Sequence, residues 1–119
     1  MKLETLLSEM PCQVLCAGTD LTQTVTGGYA CDMLSWVVSR IGSGEIWLTI
    51  LNSVNVVAVA ALSECACVML TESVDMESDV VQRAKEKGMT IVTTPLTTYE
   101  AAVRISRLLD TEQTAEGQR

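Results

Sequence analysis

The sequence contains no histidine and no phenylalanine. Histidine is the one side chain whose ordinary pKa lies near neutrality, and it is the commonest metal ligand and general base. Its absence excludes Ser-His and Cys-His catalysis, phosphohistidine transfer and histidine-ligated zinc. Aromatic residues make up only 3%, namely Tyr29, Trp36, Trp47 and Tyr99. The stacking platforms used for single-stranded nucleic acid are therefore missing, and the core must be aliphatic. Positive charge is scarce: 8 Lys and Arg face 15 Asp and Glu, for a net charge of −7. That field repels phosphate backbones and anionic headgroups, so neither nucleic acid nor a membrane surface is an expected partner.

What is present suits a globular protein. A length of 119 residues with 48% apolar content predicts one domain with a sizeable interior. The five cysteines, Cys12, Cys16, Cys31, Cys65 and Cys67, are odd in number, and the N-terminal stretch MKLETLLSEM lacks the apolar centre of a signal peptide. A reducing cytoplasm is the expected location.

The stretch from Ile46 to Leu70 carries only Glu64 as a charge and is long enough to cross a bilayer. Asn52, Ser53, Asn55, Ser63 and Glu64 interrupt it, however, and its flanks are acidic where a positive cluster would be expected. The interruptions fit a strand near Ile46 to Ile50, a helix capped around Asn52 or Ser53 and running to about Ser63, and a strand from Cys67 to Leu70. Downstream, Asp75 and Glu77 open a helix that Lys85, Lys87 and Gly88 close, and the strand TIVTT follows. Thr97 and Glu100 form a capping box for a helix running to about Leu109. Residues 110–119 are polar and aperiodic, as in a flexible tail. Upstream, Leu3, Leu6, Leu7 and Met10 recur at helical spacing, QVLC makes a short strand, a further strand reaches Tyr29, and a helix starts at Asp32. Alternating strands and helices predict an α/β fold, with about five strands in a mainly parallel sheet flanked by helices.

Several residue groups are candidates for function. Gly27 and Gly28 offer bare backbone that an anion can approach, or they permit a turn with positive φ. Cys65 and Cys67 share one side of a strand by two-residue alternation, so they are either small core residues or ligands of an iron-sulfur unit. Glu72, Asp75, Glu77 and Asp79 crowd one helix start, where they complement the dipole or hold a cation. No cofactor is expected on the packing reading of these groups. Open α/β sheets bind ligands outside the carboxyl ends of their strands. Asn52, Ser53 and Asn55, with Thr71 and Thr94, fall there; they are either a ligand rim or ordinary caps and turn formers. A site without arginine in a chain of this charge predicts dissociation constants nearer micromolar, about −8 kcal/mol or weaker. The helix after Asn52 is apolar on every face, so a second subunit is expected over Val56, Val57, Val59 and Ala60.

Taken together, VTGGYACDMLSWVV, GEIWLTILNSVNVVAVA, CACVMLTES and GMTIVTTPLTTYEAAVRISRLL resemble a stand-alone DRTGG-domain protein over nearly all of residues 1–109. The domain also occurs in phosphotransacetylases and in pyrophosphatases with CBS domains, and it is similar to the N-terminal domain of HPr kinase. The resemblance implies a regulatory or dimerising module, not a catalyst; the expected function is a homodimer that regulates or scaffolds a larger enzyme and senses a small metabolite or nucleotide. Small stand-alone members are often encoded beside iron-only hydrogenase and NADH-dehydrogenase-like subunits, which implies a redox enzyme complex as partner. Where the family tends to carry Asp-Arg, this chain reads Asn52-Ser53, and where Thr-Gly-Gly is expected it reads Thr71-Glu72-Ser73. The runner-up is a redox accessory protein that carries an iron-sulfur unit on its cysteines.

Overall fold

The computed structural model describes the backbone of residues 1–117, with side chains through residue 112. Its elements run α1 (Leu3–Ser8), β1 (Gln13–Cys16), β2 (Gly27–Ala30), α2 (Leu34–Arg40), β3 (Glu45–Thr49), α3 (Val54–Ser63), β4 (Cys67–Leu70), α4 (Ser78–Glu86), β5 (Ile91–Thr93) and α5 (Thr98–Gly117). The five strands form one sheet in the order β1-β5-β4-β3-β2. Four of them are parallel, and β1 runs antiparallel to β5. The apolar stretch from Ile46 to Leu70 is thus β3, α3 and β4, and no described helix is long and apolar enough to cross a membrane.

Each strand of the centre reads as a continuous apolar run because helices cover both faces. Trp47, Val68, Leu70 and Ile91 pack on one side under α2, α3 and α4, while Ile46, Leu48, Met69 and Val92 pack on the other under α1 and α5. The three crossovers through α2, α3 and α4 lie on one face and step the strands across in sequence. The parallel part of the sheet therefore contains no reversal of strand order, the feature that opens a deep crevice in doubly wound folds.

Local chemistry sets the ends of these elements. The Thr97 N–H donates to Glu100 Oε1 at 3.1 Å, and the Glu100 N–H donates to Thr97 Oγ1 at 3.1 Å, the reciprocal bonds of a capping box. The Thr97 N–H and, with it, the Thr97 hydroxyl stabilise the carboxylate and hold the Glu100 carboxyl below its ordinary pKa. Gly88 closes α4 at φ +69°. The expected tail enters as the last turns of α5 for residues 110–117; its two final residues lie outside the described part.

Two expectations change here. Val56, Val57, Val59 and Ala60 are buried in the chain's own core, against the sheet, so they form no surface for a second subunit. The exposed side of α3 carries Val54, Asn55, Ala58, Ala61 and Leu62 instead. Gly27 and Gly28 are residues of the edge strand β2, not a turn, and neither has positive φ.

Candidate cleft at the strand ends

A cavity of about 600 Å³ opens where β4 and β5 end beside the start of β1. Pro11, Cys12, Ser73, Asp75, Thr93 and Thr94 line it. Loops build it, and each loop is held by its neighbours. The β4–α4 loop turns at Glu72 and Ser73, which adopt φ +60° and +58° in succession. These two positions are where the resemblance places a glycine pair, and glycine takes this conformation without steric cost. The Glu72 N–H donates to the Leu96 carbonyl and the Ser73 N–H to the Thr94 carbonyl, both at 2.9 Å. Those amides are therefore committed to the β5–α5 loop.

The hydroxyls of buried Thr71 and Thr94 and of half-buried Thr93 and Thr98 are committed as well. Thr71 and Thr98 share a hydrogen bond of 2.7 Å between their Oγ1 atoms. Thr94 Oγ1 donates to the Pro11 carbonyl and Thr93 Oγ1 to the Val74 carbonyl, each at 2.6 Å. A buried hydroxyl without a partner costs about 1–3 kcal/mol, and these threonines escape that cost by tying loop to loop. Asn52 Nδ2 donates to the Asp75 carbonyl at 2.8 Å, which pins the β3–α3 loop to the β4–α4 loop. Ser53 stands at the N-cap of α3 without a side-chain cap bond, and Asn55 is exposed in the first turn. Thr94 thus lines the cleft and Asn52 braces its side, while Thr71 lies beneath as a structural residue. Gly27 and Gly28 lie on the far edge strand and line a different cavity, of about 410 Å³, with α5.

Sequence reasoning missed Asp32, which it read only as a helix start. Its Oδ1 accepts from Thr49 Oγ1 at 2.7 Å and from the Ile50 N–H at 3.0 Å, joining the β2–α2 loop to the end of β3. The distance in sequence between residues 32 and 49 hides this pair.

The cysteines do not converge. Cys16 and Cys65 lie in the core under α2, α3 and α4, whereas Cys67 lies in the core under α1 and α5. Cys65 precedes β4, so strand alternation does not place it beside Cys67. Among the described residues no three His, Cys, Asp or Glu side chains are grouped to hold a metal ion. Burial raises the Cys65 and Cys12 thiols above their ordinary pKa and the Cys67 thiol well above it. Such thiols are protonated and inert at neutral pH.

The fold and cleft define a small three-layer α/β domain with a depression of mixed polar and apolar lining that contains one carboxylate, Asp75, and no cation. The chain belongs to the DRTGG domain family, whose model matches residues 5–108. Among solved structures, it is similar to the CBS and DRTGG domains of the regulatory region of Clostridium perfringens pyrophosphatase, complexed with its activator diadenosine tetraphosphate. The TM-score is 0.70 at 15% identity, over 87% of this chain and 45% of the other. The chain therefore spans less than half of that regulatory region, and the likeness concerns the fold. No curated protein matches the chain.

Proposed function

We propose that this chain is a non-catalytic regulatory module that senses a small nucleotide and acts as a homodimer beside a redox enzyme complex of the hydrogenase or NADH-dehydrogenase type. The observation that carries the reading is the family match over residues 5–108, together with a fold shared with a regulatory region solved with a nucleotide activator. The cleft supports a polar ligand of modest affinity. Thr94, Ser73 and the braced Asn52 loop suit a ribose or base, while Asp75 repels phosphate and leaves it toward solvent. The exposed apolar side of α3, with Val54 and Leu62, supports association of two copies.

Calorimetry with AMP, ADP and diadenosine tetraphosphate tests the sensing. Binding is expected in the micromolar range, weakened about tenfold by Asn52→Ala and strengthened by Asp75→Asn. Equal binding to all three proteins moves the site elsewhere, and no heat with any of the nucleotides ends the sensing reading. Light scattering tests assembly, and a monomer mass at micromolar concentration removes the dimer.

A further inference from the structure

The two edges of the sheet are built differently. The β1 edge is blunted: its register shifts between Val14 and Cys16, and Pro11 stands just before it. Bulges and prolines are the usual means of keeping an edge from pairing with another chain. The β2 edge has none of them. Gly27, Gly28, Tyr29 and Ala30 carry no charge and no proline, and they pair with β3 in unbroken register. The Cys31 N–H reaches inward to the Leu48 carbonyl at 3.2 Å, so strand alternation turns the amides of Gly28 and Ala30 outward. Both residues are exposed.

Beside this open edge lies the cavity of about 410 Å³ between β2 and α5. Gly28, Ala30 and Leu48 floor it, Ile105 and Leu109 wall it, and Asp110 stands on its rim. Gly28 puts no side chain into it. A Cβ there would meet only the Ile46 carbonyl at 3.7 Å and Leu48 Cδ1 at 3.9 Å, which is ordinary contact, so the position has room for a larger residue. Glycine inside a strand marks a place where another backbone or a ligand comes close.

We infer that the β2 edge and its groove dock an extended segment of a partner protein, which adds as a sixth strand. Main-chain bonds to Gly28 and Ala30 supply affinity, and alternate apolar side chains of the segment enter the groove against Ile105 and Leu109. A lysine or arginine of the segment meets Asp110, the charged residue of the lining, in a chain that is itself at −7. A second copy of this chain is a poor occupant: its own β2 would bring Gly28 and Ala30 to the groove, too small to fill it, and would set Asp110 near its own like charge. The inference rests on the reading of the chain as a module that meets another protein, and it does not involve the nucleotide cleft.

The probe is a fluorescein-labelled, end-capped synthetic peptide, Lys-Val-Thr-Val-Lys-Val-Thr-Lys, read by anisotropy and by amide shifts in nuclear magnetic resonance. Its control has the same composition with the three valines contiguous. Saturable binding is expected, with shifts at Gly28, Ala30 and Ile105, and with affinity about tenfold weaker for the control. Gly28→Leu, which fills the groove, and Gly28→Pro, which removes an edge donor, should each lower affinity about tenfold. Asp110→Lys should do the same and should recover binding to a peptide whose lysines are replaced by glutamate. Equal binding to the Gly28→Leu protein, shifts confined to α2 and α3, or no binding at about 1 mM peptide overturns the inference. A fall in the light-scattering mass of either Gly28 variant, with an unchanged melting temperature, also overturns it by assigning the edge to the homodimer. Nucleotide calorimetry on the same variants is expected to be unchanged, so loss of the sensing reading would be seen separately.

Discussion

The helices α3 and α4 cover the same face of the same sheet, yet they meet water in opposite ways. Each buries an inner stripe: Val56, Val57 and Ala60 in α3, Val80 and Ala84 in α4. The outer side of α4 carries Asp79, Gln82, Arg83, Lys85 and Glu86, the expected solvent face of an amphipathic helix. The outer side of α3 carries Val54, Ala58, Ala61 and Leu62, with Asn55 the one polar side chain of its first turn, and Leu62 is 77% exposed. Both helices end on a left-handed residue, but α4 uses Gly88 at φ +69° and α3 uses Glu64 at φ +57°. A buried inner stripe in both helices thus coexists with an outside that is finished in one helix and unfinished in the other. Core burial fixes where a helix sits, and the opposite face records what else the helix must touch.

Six substitutions sharpen or break this contrast. The largest effect belongs to the shared inner stripe, where Val57→Ala and Val80→Ala should each cost about 2–3 kcal/mol by leaving a cavity. Chemical denaturation checks it, and a loss confined to one helix would show that the two are not packed alike. Next, Gly88→Ala should cost about 1–2 kcal/mol, because a side chain must then adopt the left-handed region, and its Cβ would lie 3.0 Å from Thr19 Cγ2. The reciprocal change Glu64→Gly should gain about 0.5–1 kcal/mol by relieving the same strain at the end of α3. A melting temperature that falls with Glu64→Gly would mean that this carboxylate makes a stabilising contact of its own. The smallest effect on stability belongs to Leu62→Lys, within about 0.5 kcal/mol as for other surface changes. Its readout is mass: light scattering should report a monomer for this variant and a dimer for Gln82→Lys on α4. Equal masses for the two would remove the outer face of α3 from the proposed dimer.

The order of elements was legible because its signals are local. Hydrophobic period, the Thr97–Glu100 box, Gly88 and the polar breaks around Asn52 and Ser63 act within a few residues, and β3, α3, β4, α4 and β5 fall where those signals lie. The candidate site was legible in part. Thr94 lines the cleft and Asn52 braces one of its loops, but their hydrogen bonds to Pro11 and Asp75 span 83 and 23 residues and leave no mark in a local pattern. The apolar helix α3 was recognised, while the choice of its covered side was not, since a helix apolar all round gives no moment to choose by.

The sequence by itself determined the class of fold, the alternation of strands and helices, the aliphatic core and the chemistry that a chain without histidine cannot perform. These follow from composition and from interactions between near neighbours. The tertiary structure alone decided that Cys65 and Cys67 fall in separate cores, that Thr71 and Thr94 spend their hydroxyls on other loops, and that Gly27 and Gly28 form an edge. Each of these depends on which strands become neighbours and which face each helix covers. Those choices arise from burying many apolar side chains at once, and no short stretch of sequence contains them.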